Sequence, residues 1–130
     1  MMKKIYRVII AGSRYYDDYN RLVVACDQFL ARELHDSTCS IVVLVGGATG
    51  ADSLGVQYAK EKNLKVEVHE ADWGVHGRAA GPIRNAEMAD VADALIAFPK
   101  AGEANKGTLS MIKMARRKGL LVHVESLGFE

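Results

Sequence analysis

The sequence predicts a single α/β domain over residues 1–130, built on a doubly wound parallel sheet of five strands with helices on both faces. Short apolar segments rich in β-branched residues alternate with segments whose apolar residues recur at helical spacing. This strict alternation of strand and helix is typical of a parallel sheet with right-handed crossovers. A chain of 130 residues has the size of one domain, and the expected strand order is 3-2-1-4-5.

Five strands are predicted from short apolar segments bounded by turn or polar residues. They span Tyr6–Ala11, Ile41–Val45, Leu64–His69, Ala94–Phe98 and Leu120–Val124. The third segment alternates apolar with charged residues, which indicates one exposed face and therefore a place at the edge of the sheet.

Four helices are predicted between these strands from apolar residues spaced three or four apart. They span Asp17–His35, Ala51–Lys62, Pro82–Val91 and Thr108–Lys118. Pro82 suits the first position of its helix, because an N–H at that position would have no intrahelical acceptor and its absence in proline costs nothing. The segments Glu70–Gly81 and Lys100–Gly107 contain glycine and are predicted to be loops.

Composition and charge argue against several functional classes. The formal net charge of +1 lacks the basic surplus of a general nucleic-acid binder, and no apolar segment is long enough to span a membrane. Met1–Tyr6 is too short for a secretion signal, and the isolated Cys26 and Cys39 suit reduced thiols in a cytoplasmic protein. The four histidines lack metal-ligand spacing, so no metal is expected.

The most informative stretch is Ile41–Asp52, where a strand runs into Gly46-Gly47-Ala48-Thr49-Gly50 and a helix begins at once. Glycine removes Cβ atoms where the chain turns sharply and where a ligand could lie against the backbone. The helix start adds free N–H groups and the positive end of the helix dipole, which together favour an anion such as phosphate. The same glycines equally suit a tight turn that binds nothing.

Every glycine-rich or polar loop of this kind follows a predicted strand. The loops are Gly12–Arg14, Gly46–Asp52, Ala71–Gly81 and Pro99–Thr108. Because the carboxyl ends of parallel strands meet at one edge of the sheet, the sequence predicts a ligand site at that edge. The G-x-G-x-x-G and G-x-x-x-x-G-K-[ST] motifs are absent, which excludes a standard dinucleotide fingerprint and an ATP-hydrolysing P-loop.

Four fragments in this order resemble a known family over about Val8 to Val124. They are Gly12-Ser13-Arg14, Gly46–Asp52, Ala71-Asp72-Trp73 with Gly81–Met88, and Phe98-Pro99 with Gly107-Thr108. The chain resembles the YspA/YpsA-related branch of the SLOG superfamily, named for the Smf/DprA and LOG proteins. The resemblance implies a Rossmann-like fold that binds a nucleotide or a nucleotide-derived ligand, phosphoribosyl or ADP-ribose-like, as a sensor or processing protein.

The LOG members of that superfamily are phosphoribohydrolases, which cleave the N-glycosidic bond of a nucleoside monophosphate. Arg84, followed by Asn85, matches the LOG arginine that contacts substrate at a helix start. Gly107-Thr108 matches the end of the LOG phosphate loop. A planar guanidinium suits bidentate phosphate contact, although Arg84 could instead pair with Glu87 three residues on.

An N-glycosidic hydrolase is therefore the alternative function, but one expected residue is missing. LOG enzymes have a glutamate two residues after the threonine, and Ser110 occupies that position here. Asp72 or Glu87 would have to replace it, as carboxylates act in glycoside hydrolysis. Trp73 beside Asp72 could stack on a base or fill the space under the loop.

The remaining candidates have both a ligand role and a plain structural one. Ser13 and Arg14 could hydrogen-bond a phosphate or ribose, or lie in an exposed loop. Thr49 and Gly50 could offer backbone N–H groups at the helix start. Asp52 could bind a ribose hydroxyl or cap its helix, and capping is the favoured interpretation.

A third alternative is a module that binds protein and no small molecule. Tyr15, Tyr16 and Tyr19 could then form an exposed apolar patch, because tyrosine is enriched at interfaces. A homo-oligomer is expected in either case, since SLOG relatives often pair through helices.

Overall fold

The centre of the fold is an all-parallel sheet, seen in a computed structural model that describes residues 3–47, 49–100 and 105–125. Its five strands lie in the order β3-β2-β1-β4-β5. They are β1 (Lys4–Gly12), β2 (Cys39–Val45), β3 (Lys65–Val68), β4 (Ala94–Phe98) and β5 (Leu121–Val124). The predicted fold class and strand order are confirmed, and the alternating segment forms the edge strand β3.

Helices cover both faces of this sheet. In the described residues they are α1 (Tyr19–Phe29), α2 (Ala31–Leu34), α3 (Ala51–Glu61), α4 (Trp73–His76), α5 (Ala80–Val91) and α6 (Lys106–Arg117). Helices α1 and α3 pack on one face, and α5 and α6 pack on the other. None of the described helices is long and apolar enough to cross a membrane.

The middle strands are buried on both faces, as expected for a sheet between two helical layers. Val8 and Ile10 of β1 point into the core under α1 and α3, whereas Ile9 points into the core under α5 and α6. Tyr58 of α3 is fully buried, and its hydroxyl donates a 2.8 Å hydrogen bond to Asp27 of α1. This bond joins the two helices of one layer and satisfies a polar group that burial removes from water.

The segment predicted as one helix over Asp17–His35 forms two helices, α1 and α2. They are separated at Leu30, whose side chain is fully buried. The start of α1 agrees with the capping pattern, because the Asp18 carboxylate accepts a 3.1 Å hydrogen bond from the N–H of Arg21.

The prediction that Glu70–Gly81 is all loop is wrong. It contains α4 and a 3₁₀ turn at Gly77–Ala79, and α5 begins at Ala80. Asp72 is the N-cap of α4 and accepts a 3.1 Å hydrogen bond from the N–H of Val75. Pro82 is consequently the third residue of its helix, where an N–H still lacks an intrahelical acceptor.

The sixth helix starts earlier than predicted, at Lys106 rather than Thr108. The loop predicted over Lys100–Gly107 includes residues 101–104, and these lie outside the described residues, as do 126–130.

We expect Cys26 to be protected from alkylation in the folded chain. It is fully buried on α1, and burial raises the pKa of its thiol to about 12. At pH 8 its reactive thiolate is therefore scarce, whereas Cys39 at the start of β2 is only half-buried. Iodoacetamide followed by peptide mass spectrometry should find Cys39 modified first and Cys26 modified only in urea. Rapid native labelling of Cys26 in a Cys39→Ser variant would contradict this packing.

Candidate ligand-binding cleft

A cleft of about 170 Å³ lies at the carboxyl edge of the sheet, where the strand order reverses between β1 and β4. It is lined by the loops after β1 and β2 and by the starts of α5 and α6. The lining residues are Ala11, Gly12, Ser13, Arg14, Gly46, Asp52, Arg84, Asn85, Met88, Asn105, Gly107, Thr108 and Met111.

The loop after β1 enters the cleft between neighbouring backbones. A Cβ at Gly12 would press on the Phe98 carbonyl and would lie 2.8 Å from the Cβ of Ala51, so only glycine fits. Ser13 is buried, and its Oγ accepts a 3.1 Å hydrogen bond from the N–H of Tyr15. The exposed Arg14 side chain borders the cleft and has no bonding partner among the described residues.

The glycine turn after β2 packs mainly on the loop after β1. Gly50 has φ of 72° and ψ of −129°, and a Cβ there would press on the carbonyls of Ser13 and Arg14. The N–H of Ala51 donates to the Ser13 carbonyl at 3.2 Å, and the Thr49 hydroxyl donates to that of Arg14 at 3.5 Å. A protein carbonyl therefore occupies the start of α3, where the sequence predicted an anion.

Only part of the predicted glycine turn consequently borders the cleft. Gly46 and Asp52 line it, whereas Gly47, Thr49 and Gly50 do not. Gly47 lies instead in a separate groove between β3 and α3.

Arg84 joins the start of α5 to the ends of two strands. Its Nη1 donates to the carbonyl of Gly46 at 2.7 Å and to that of His69 at 3.4 Å, and its Nε donates to Asn85 Oδ1 at 2.9 Å. A Cβ at Gly46 would lie 2.8 Å from the Cζ of Arg84. In the described residues Arg84 forms no ion pair with Glu87, and its side chain is part of the cleft lining.

Asp52 does not cap α3, so the capping interpretation is wrong. Gly50 is the N-cap residue of this helix and makes no side-chain capping hydrogen bond. The buried Asp52 carboxylate instead accepts a 3.1 Å hydrogen bond from the N–H of Gly46. Both backbone groups of Gly46 are thus bonded to side chains, the N–H to Asp52 and the carbonyl to Arg84.

The start of α6 forms the opposite side of the cleft. Asn105 precedes the helix, and its amide bonds both backbone groups of Lys100, accepting from the N–H at 3.1 Å and donating to the carbonyl at 3.0 Å. Gly107 faces open space, whereas Thr108 is buried. Among the described residues, no acceptor bonds the N–H groups of Gly107 and Thr108, so the positive end of α6 faces the cleft.

Besides Gly47, Thr49 and Gly50, three more predicted site residues lie outside this cleft. Asp72 caps α4, Glu87 is exposed on α5, and Trp73 is 61% exposed with its ring edge over Gly81. The described residues contain no group of three or more His, Cys, Asp or Glu side chains that could hold a metal ion.

Sequence reasoning missed four lining residues. They are Ala11, Met88, Asn105 and Met111. Met88 and Met111 have helical spacing, which is typical of methionines that pack in a core rather than line a ligand site. Asn105 had a usable signal, since asparagine before an apolar helical segment is a common helix start.

The doubly wound parallel sheet, with a cleft at its switch point, defines this chain as a Rossmann-like α/β protein. Residues 6–76 match the family described as "YAcAr: YspA, cpYpsA-related SLOG family". The chain therefore belongs to the YspA, cpYpsA-related SLOG family. It is 38% identical over 122 residues to the Gene 61 protein of Mycobacterium phage D29, a match that covers 89% of this chain and 93% of that protein.

Two solved structures share this fold. DNA processing protein A (DprA) from Streptococcus pneumoniae has a TM-score of 0.64 at 17% identity, and the match covers 97% of this chain and 52% of that one. This chain thus spans about half the length of DprA. The protein TM1055 has a TM-score of 0.58 at 21% identity, with 93% of this chain and 72% of that chain covered.

Substituting Gly50 with alanine should destabilise the fold more than the same change at Gly77. The two glycines have almost the same backbone conformation, with φ and ψ of 72° and −129° at Gly50 and 55° and −131° at Gly77. A Cβ at Gly77 meets nothing within 4 Å, whereas one at Gly50 meets backbone. The shared strain costs about 1–3 kcal/mol, and overpacking should add about 1–3 kcal/mol at Gly50 alone.

Urea unfolding of both variants measures this difference. Equal losses of unfolding free energy would show that the contact between the two loops is not tight, and the proposed reason for glycine at position 50 would then be wrong.

Proposed function

We propose that this chain binds a nucleotide-derived ligand in the cleft, with a phosphate group at the first turn of α6. The observation that supports this is the convergence of three positive groups on one hollow. Arg14 follows β1, Arg84 belongs to α5, and the N–H groups of Gly107 and Thr108 start α6. A helix start with arginine nearby is a common arrangement for phosphate.

The size of the cleft favours the phosphate and sugar of such a ligand over the whole molecule. Its volume of about 170 Å³ is below the range of about 300–1,000 Å³ typical of sites for complete drug-sized ligands. We therefore propose that the phosphoribosyl part is enclosed while the base extends beyond the rim. Asn85 and Asp52 offer polar atoms for sugar hydroxyls on the side opposite α6.

Binding without cleavage is the better-supported form of this function. Hydrolysis of an N-glycosidic bond needs a carboxylate beside the sugar. Among the described lining residues the carboxylate is that of Asp52, which already accepts the N–H of Gly46. Asp72 and Glu87 lie outside the lining, and Ser110 occupies the LOG glutamate position. These positions support a role as a ligand sensor.

Removing the Arg14 guanidinium should weaken binding without disturbing the fold. The Arg14 side chain has no partner among the described residues, so Arg14→Ala leaves its backbone bond with Thr49 in place and removes only the contact of the guanidinium with the ligand. Calorimetry with ribose 5-phosphate, AMP and ADP-ribose should show affinity reduced about ten- to a hundredfold. Arg78→Ala is the matched control, because Arg78 is exposed and outside the cleft.

Arg84→Ala should reduce the same affinities, and it should also lower the melting temperature because Arg84 bonds the carbonyl of Gly46. Binding of all three compounds that is unchanged in both Arg14→Ala and Arg84→Ala would exclude the cleft as the binding site.

Nucleoside monophosphates should remain intact when incubated with the protein. Chromatography with detection of free base measures this directly, and boiled protein is the control. Base release that disappears in Asp52→Asn would overturn the sensor proposal and establish the hydrolase instead.

A further inference from the structure

We propose that a second copy of this chain pairs with the outer edge of β3, so that the two five-stranded sheets join into one of ten strands. β3 is the outermost strand on its side of the sheet. Lys65 and Glu67 are exposed, and Val68 is 51% exposed although it is a large apolar residue. An uncovered edge of this kind offers backbone N–H and C=O groups to another strand.

The backbone of β3 limits how two copies can meet. β3 runs parallel to β2, and the N–H of His69 donates to the Val45 carbonyl at 2.8 Å. Successive residues of a strand point their backbone groups to opposite sides. The backbone groups of Lys65 and Glu67 therefore bond β2, and those of Val66 point toward the outer edge. In a symmetric antiparallel pair of strands, the backbone N–H and C=O groups of two facing residues must both point toward the other strand or both point away from it. The two-fold axis therefore passes through a residue, not between two residues.

Charge selects one of the three axis positions that centre the pairing on the edge, which pass through Lys65, Val66 or Glu67. An axis through Lys65 or Glu67 would place two like charges directly opposite each other, which destabilises strand pairing. An axis through Val66 places Lys65 opposite Glu67 of the second copy, twice by symmetry. The same axis places Leu64 opposite Val68 of the second copy, also twice, and Val66 opposite itself. The segment Leu64–Val68 is thus complementary to itself in both charge and apolarity.

The surroundings of β3 leave room for this pairing. An open groove of about 550 Å³ lies between β3 and α3, and Val45, Val56 and Val68 contribute its apolar surface. Val68 belongs to the outermost strand, so a second strand paired there would cover its exposed side chain. On the other face Glu67 lies 3.3 Å from the His69 ring, whereas the Lys65 ammonium has no acceptor among the described residues. Lys65 is therefore available to the second copy.

The size of the edge sets the expected strength of association. β3 has four residues, so the interface falls among small, weak ones, below about 1,200 Å². We expect a dimer that forms reversibly with increasing protein concentration.

Paired charge reversals test the proposed register with the full chain. Lys65→Glu leaves two negative side chains along the edge, and Glu67→Lys leaves two positive ones. Each variant alone should self-associate at least about tenfold more weakly than the original chain, because like charges then face each other. An equimolar mixture of the two variants should dimerise again, since every facing pair is then of opposite charge.

Sedimentation equilibrium from about 1 to about 500 µM measures these constants, with circular dichroism to confirm that each variant is folded. Lys113→Glu on α6 is the control and should associate like the original chain, because it changes the net charge away from β3. A chain that stays monomeric throughout, single variants that dimerise normally, or a mixture that does not recover association would each overturn the proposal. None of these outcomes depends on whether the cleft binds a nucleotide.

Discussion

The cleft depends on the way two side chains hold the backbone of Gly46. Asp52 accepts its N–H and Arg84 donates to its carbonyl, so the end of β2 is joined to the starts of α3 and α5. A side chain at position 46 would occupy the space of the guanidinium, which explains why a residue without Cβ is needed there. A structural role and a ligand role for Arg84 are compatible, because its guanidinium bonds the Gly46 carbonyl while the residue also lines the cleft.

The two sides of the cleft are built differently. On one side, the loops after β1 and β2 lie backbone against backbone, with the Ser13 carbonyl at the start of α3. That contact fixes the position of Arg14 at the rim of the cleft. The Ser13 carbonyl, however, offsets the positive end of the α3 dipole. On the other side, no described residue bonds the N–H groups of Gly107 and Thr108, so the first turn of α6 keeps its polarity. Of the starts of α3 and α6, that of α6 is therefore better suited to an anion.

Most of the fold could be predicted from local patterns, whereas much of the cleft could not. Alternating apolar segments predict β1 to β5 and their order, because parallel pairing and right-handed crossovers leave few topologies. Gly50 shows the limit of this reasoning, since a missing Cβ can accommodate either a ligand or another loop, and the sequence does not say which lies opposite. Asp52 and Asp72 show a similar limit, because a carboxylate near a helix start suits several N–H groups, and tertiary packing selects that of Gly46 for Asp52 and that of Val75 for Asp72.

The hydrogen bonds of Asn105 with Lys100 affect how the length of the chain between these two residues can vary within the family. The Asn105 amide bonds both the N–H and the carbonyl of Lys100, so the chain just after β4 is tied to the residue that precedes α6. With these two anchor points fixed, insertions or deletions between them add only a small closure entropy and leave the helix in place. We expect natural relatives to differ in length between the positions of Lys100 and Asn105. At the position of Asn105 they should retain an amide, or another side chain that can bond the backbone of the residue at position 100.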